Sequence, residues 1–339
     1  MTLPSASPVR EVEAIDPRRF QEEIRPAGQP VVLRGLAAHW PAIEAARRSD
    51  EALVDYLARF PTLKRATAIV GEPEIEGRFF YTEDLSALNF QRGVTPLAPF
   101  LDRLLRDRAT ERPKAMAVQS EVIPDLLSGF ERENSVPLLG PAIQPRMWIG
   151  NRIAVAPHFD LMENIGVVVA GRRRFTLFPP DQLPNLYPGP FELTPAGTPV
   201  SMVDPHAPDL DRYPRFAEAM EVAQMAELEP GDGIYIPFHW WHGVESLESF
   251  NLFVNYWWND APPALGNPYD ALMLGLFALK HLPPEQREAW RQVFDHYVFC
   301  GDGDPAEHLP VHARGVLGAP TPELLGRMRA TIKQILEKL

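Results

Sequence analysis

RIAVAPHFDLMENIGVVVAGRRRFTLFPP, residues 152–180, holds three short apolar runs: RIAVAPHFD, IGVVVAG and RRFTLFP. Gly171 and the prolines at 179 and 180 punctuate them, as turn residues do between strands. In the first run His158 and Asp160 stand two apart. Successive strand side chains point to opposite faces, so an imidazole and a carboxylate at this spacing project together.

Moving outward, the β-like character extends from Lys114 to Asp260 through AMAVQ, RMWIGN, GIYIP and FNLFVNYWW. Short strands with frequent turns argue for a sandwich or barrel of antiparallel strands, a mainly β fold. Residues 1–113 read as an N-terminal α/β elaboration. It contains a loose arm over 1–17, helices near Pro17–Ile24, Ser49–Phe60 and Pro96–Arg108, and a strand at PVVLRG. The core is expected over 114–262. Residues 263–339 read as helices. In the last of these Thr321 is placed as N-cap, and Leu325, Met328, Ile332, Ile335, Leu336 and Leu339 form one apolar stripe. That stripe serves either packing within the chain or a homodimer.

The chain has 339 residues, 45% hydrophobic and 23% charged, the composition of a globular protein. A net charge of −12 argues against nucleic acid as partner. Cys300 is the single cysteine, which excludes an intrachain disulfide and a cysteine zinc cluster. No apolar stretch is long enough for a signal or membrane span. Cytoplasmic localisation is the expectation.

His158 and Asp160 need one further imidazole to form a two-histidine, one-carboxylate facial triad. Such a triad covers one face of an octahedral metal and leaves positions open for co-substrate and oxygen. His242, in GDGIYIPFHWWHGVES, is the candidate, and His239 competes with it. With nine histidines in the chain an H-x-D tripeptide alone is easily a chance match, so its surroundings must decide.

In AGRRRFTLFPP, Arg173, Phe175 and Leu177 share one strand face, while Arg172, Arg174 and Thr176 share the other. Arg173 would then be a cation among apolar side chains, costly without a carboxylate partner. A dicarboxylate co-substrate is one occupant; a solvated arginine run is the other reading. In FNLFVNYWWND, Asn251, Phe253, Asn255 and Trp257 share a face. Asn255 bonds either a ligand or backbone. Asn164 is a third polar candidate, or a rim residue. Trp240 and Trp241 either shape a cleft with the loop PNLYPGPFEL or pack the core.

HFD, GRRRFTLFPPDQLPNLYPGP, ELEPGDGIYIPFHWWHGVESL and FVNYWW together resemble the Jumonji-C, cupin-like 2-oxoglutarate oxygenases, and FQEEIRPAGQPVVLRGLAAHWPA resembles the start of that family. The resemblance covers roughly residues 16–260. It implies a double-stranded β-helix, the cupin jelly-roll, with helices added at both ends and a homodimer through the C-terminal helices. It places iron ligands on His158, Asp160 and His242, the anchor for the distal 2-oxoglutarate carboxylate on Arg173, and co-substrate contacts on Asn164 and Asn255. It implies Fe(II), 2-oxoglutarate and O2 as cofactor and co-substrates, and hydroxylation of a protein or peptide side chain, with a small-molecule substrate as a minority case. Two positions depart from the pattern. Val155 stands where a hydroxyl is expected, and a tyrosine contact has no equivalent unless Gln119 or Ser120 replaces it. A redox-neutral metal cupin and a non-catalytic binding protein are the competing readings.

Overall fold

A computed structural model of the chain describes residues 4–301 and 303–337. Two compact units are present, one ending at Asn259 and one beginning at Asp260. The first is mainly β. A nine-stranded sheet runs Arg10–Glu13, Val31–Arg34, Gly233–Ile236, Glu163–Ala170, Asn251–Trp258, Pro145–Gly150, Ala115–Val122, Ala66–Gly71 and Phe90–Thr95 in spatial order. A six-stranded sheet runs Ser7–Pro8, Gln224–Leu228, Arg173–Phe178, Trp241–Ser246, Ala154–Phe159 and Arg78–Phe79. Most pairs are antiparallel, and neither sheet closes on itself, which is the jelly-roll solution of two packed sheets.

The sheets are joined by a core to which both contribute. Phe175, Leu177 and Leu228 come from the six-stranded sheet, Val168, Ile234 and Phe253 from the nine-stranded one. The other face of the nine-stranded sheet is covered by helices. Pro41–Arg48, Asp50–Leu57 and Leu97–Asp107 bring Ile43, Leu53, Leu57 and Leu101 against Val118, Ile149, Ile165 and Val167. A central strand covered on both faces must be apolar throughout, which is why ENIGVVVA is buried from Asn164 to Ala170. Gly166 in that strand is required by packing: a Cβ there would lie 2.0 Å from Phe253 Cζ.

Within the expected arm, residues 7–13 are not loose. Ser7–Pro8 pairs in parallel with Gln224–Leu228, and Arg10–Glu13 with Val31–Arg34, so the segment adds an edge strand to each sheet. Burial of Val9 and Val12 holds it down, a signal two valines among polar residues do not announce.

The described residues of the second unit include the α-helices Pro268–Leu279, Pro284–Tyr297 and Pro322–Leu336. Thr321 caps the last, its Oγ1 accepting the Leu324 N–H at 3.2 Å. Only Ala306 and Leu324 are buried among the unit's described residues. Ile332, Ile335 and Leu336 are exposed, whereas Leu339 of the expected stripe lies outside the described residues.

Candidate metal centre

His158 and His242 face each other across two antiparallel strands of the six-stranded sheet. A register shift between His242 and Val244 breaks the ladder beside them, a bulge of the kind that re-aims side chains next to active sites. Asp160 follows the first strand. One ligand atom from each of His158, Asp160 and His242 lies within 4.8 Å of the others. His242 Nε2 is 3.6 Å from Asp160 Oδ2, and the two imidazole centroids are 4.4 Å apart. His239 stands outside the group. It adopts φ 62° and stacks on Phe238 with centroids 4.3 Å apart.

The backbone selects the tautomer of both histidines. His158 Nδ1 lies 3.0 Å from the Ala156 carbonyl, and His242 Nδ1 lies 3.0 Å from that of Trp240. A carbonyl only accepts, so each Nδ1 carries a proton, and in the neutral ring that leaves the Nε2 lone pair for a metal. Burial, and then His242 beside it, hold the His158 imidazole well below its ordinary pKa, so it is neutral and able to ligate at pH 7.

Asp160 is oriented from the nine-stranded sheet. Its Oδ2 accepts the Trp257 indole N–H at 2.9 Å and the Asn164 amide at 3.3 Å. Asn255 donates to Asn164 Oδ1 at 3.2 Å, and Trp148 donates to Asn255 Oδ1 at 2.7 Å. Asn164 and Asn255 therefore lie beside the centre, where they form the line that holds the carboxylate. Nothing local in the sequence marks the indoles of Trp148 and Trp257 as donors. The pleat carried the signal, because Trp257 shares a face with Asn255, and Trp148 lies opposite Phe253.

The triad opens into a cavity of about 570 Å³ between the sheets, which Arg173, Asn164 and Asn255 also line. Arg173 is 7% exposed, whereas Arg172 is exposed and Arg174 partly exposed, and they pair with Glu248 and Glu227 at 2.9 and 2.6 Å. Arg173 has no carboxylate partner among the described residues. Its Nε bonds nothing, and its guanidinium carbon sits 4.6 Å from the Phe253 ring centroid. Burial pushes its pKa down to about 9. A buried cation without an anion is costly, and a dicarboxylate reaching from the triad would supply the missing partner.

Val155, Gln119 and Ser120 line the same cavity. Trp240 and Trp241 do not form its wall. Both are buried; Trp240 donates to Gly28 O at 3.1 Å, and Trp241 packs on Phe159 at 4.9 Å. Thr194–Gly197, which follow the loop PNLYPGPFEL, line it instead.

A family model described as a cupin-like domain matches residues 17–263. HSPB1-associated protein 1 of Rattus norvegicus is 39% identical over 115 residues, 33% of this chain and 23% of that protein. The match thus spans about a quarter of that longer relative. tRNA wybutosine-synthesizing protein 5 of Gallus gallus is 25% identical over 316 residues, 83% of this chain and 91% of that protein. The bifunctional peptidase and (3S)-lysyl hydroxylase JMJD7 of Homo sapiens is 27% identical over 272 residues, 72% of this chain and 81% of that protein.

Proposed function

The chain belongs to the cupin-like, JmjC-type domain family, and on that premise we propose that it is an Fe(II)- and 2-oxoglutarate-dependent dioxygenase that hydroxylates a side chain of a protein or peptide. The observation that carries this reading is Arg173: a buried, carboxylate-free guanidinium lining the same cavity as His158, Asp160 and His242. A redox-neutral metal cupin has no use for such a group. The donor set, two imidazoles and one carboxylate, suits Fe(II).

His158, Asp160 and His242 would hold the metal. Arg173 would pair with the distal carboxylate of 2-oxoglutarate, with Asn164 and Asn255 beside it. When bound, the metal and co-substrate supply the oxidation: one oxygen atom of O2 goes to succinate as CO2 leaves, the other to a substrate C–H bond. The residues of the chain orient and shield that chemistry. The carbonyls of Ala156 and Trp240 fix both histidine tautomers, the Trp148–Asn255–Asn164 line and Trp257 fix Asp160, and Val155, Phe175, Val244 and Phe253 give apolar wall that limits water.

A homodimer through the second unit is part of this proposal. Among its described residues only the side chains of Ala306 and Leu324 are buried, too few for a helical unit of this size to stabilise itself. Exposed Phe277, Trp290, Phe294, Ile332 and Leu336 offer the apolar area a two-fold partner would cover.

Succinate formation from 2-oxoglutarate tests the reaction. It should require Fe(II) and O2, and mass spectrometry of treated cell extract should show protein-derived peptides heavier by one oxygen. Absence of succinate with iron bound would favour a non-catalytic binding protein, and oxidised metabolites in place of peptides a small-molecule hydroxylase.

A further inference from the structure

The lining of the cavity is unbalanced in charge. Besides Arg173, the cations Lys64, Arg92 and Arg146 line it, against the carboxylates Asp160 and Glu121. Asp160 belongs to the triad. Glu121 is buried and fully engaged, accepting Lys64 Nζ at 2.7 Å and the Thr67 N–H at 2.6 Å. Burial opposes its ionisation, yet these bonds hold its pKa below the ordinary carboxylate value. With Lys64 spent on Glu121, Arg92 and Arg146 remain without an ion-pair partner among the described residues.

Arg146 is the better placed. It lies opposite Asn255 in the ladder and two residues before Trp148, so it faces the cavity. Its Nε donates to Ser120 Oγ at 2.7 Å. Ser120 reaches that position because it adopts φ 54°, inside a register shift between Val118 and Glu121. A non-glycine residue in the left-handed region is uncommon and costs energy, and such strain gathers at functional sites. The guanidinium carbon is 5.4 Å from the centroid of Trp257, the ring that bonds Asp160. One indole thus separates Arg146 from the triad. With Nε occupied by Ser120, the Nη1–Nη2 edge is left to grip a second planar group in bidentate fashion.

We infer that the substrate presents a carboxylate to Arg146, with Arg92 as an outer cation: the site takes an acidic peptide and hydroxylates it close to an aspartate or glutamate. This rests on the oxygenase reading and gives it a substrate class. A lysyl side chain, the target in the name of one relative, would enter a cavity with no uncommitted carboxylate to meet its ammonium. A polyanion such as RNA gains affinity from many phosphate contacts, and two arginines in a chain of net charge −12 provide few.

The test is fluorescence anisotropy on the full chain with Mn(II), a redox-silent stand-in for Fe(II), and 2-oxoglutarate. Four labelled probes are compared: equal-length alanine peptides carrying aspartate and glutamate, serine, or lysine, and a single-stranded RNA. The acidic peptide should bind about 10–100-fold tighter than the serine peptide, the worth of a charge-assisted bidentate pair, and the lysine peptide should bind weakest. Arg146→Ala should erase the acidic preference, and Arg146→Lys, which keeps the charge but loses the fork, should retain part of it; thermal melts check that both variants fold. Equal binding of all peptides, tightest binding of lysine or RNA, no binding of any probe, or parental binding by both folded variants would each overturn the inference. 2-Oxoglutarate binding by the parent, measured alongside by calorimetry, tests the oxygenase reading separately: its failure leaves the probe ranking interpretable.

Discussion

Trp148 donates its indole N–H to Asn255 Oδ1 at 2.7 Å, and this bond orients two further side chains. An indole can only donate. Asn255 must therefore turn its oxygen to Trp148 and its nitrogen to Asn164, which in turn gives its nitrogen to Asp160. A donor three residues removed from the metal position thus decides which way the carboxylate line runs.

Trp148→Phe should keep the packing and remove the donor. Metal affinity, read by Mn(II) calorimetry, should fall about 10–100-fold, the usual effect of losing a group that orients a ligand. Unchanged affinity would show that Trp257 holds Asp160 alone.

Replacement of a ligand should cost far more. His158→Ala, Asp160→Ala and His242→Ala should each abolish stoichiometric metal binding, whereas His239→Ala should retain it. Loss of the metal in His239→Ala with retention in His242→Ala would move the third ligand.

Arg173 predicts a trade between stability and function. Arg173→Met removes a buried charge with no protein partner. The metal-free, co-substrate-free variant should gain about 1–3 kcal/mol of stability, the range found for burying an uncompensated polar group, while 2-oxoglutarate no longer raises its melting temperature. Arg172→Ala and Arg174→Ala should leave co-substrate binding near the parental value, since both point to exposed carboxylates. A destabilised Arg173→Met would mean that the guanidinium has an internal role.

Polar replacement of Ile332 and Leu336 should give a monomer by light scattering. A parent protein that already scatters as a single 38.1 kDa chain at micromolar concentration would remove the dimer.

Alternation made much of this site legible in the chain itself. The pleat separates Arg173 from Arg172 and Arg174, and it puts Phe253, Asn255 and Trp257 on one wall. His158 and Asp160 meet as expected, although Asp160 lies just past the strand ending at Phe159. Ser120 stands out only as a stand-in for the tyrosine contact; its bond to Arg146 is opaque in the chain, because it depends on a bulge between strands whose register no local pattern states. Ser7–Pro8 and Gln224–Leu228 pair across more than 200 residues, which hid the edge strand in a polar segment. Trp240 and Trp241 could not be divided between cleft and core from their spacing, since both roles call for the same large aromatic.

The most direct measurement is calorimetric titration of 2-oxoglutarate into the parent protein and Arg173→Met, each with and without Mn(II). One site built from His158, Asp160, His242 and Arg173 predicts binding to the metal-loaded parent, with a large loss when either the metal or the guanidinium is missing. Equal binding with and without metal, or equal binding by Arg173→Met, would contradict it.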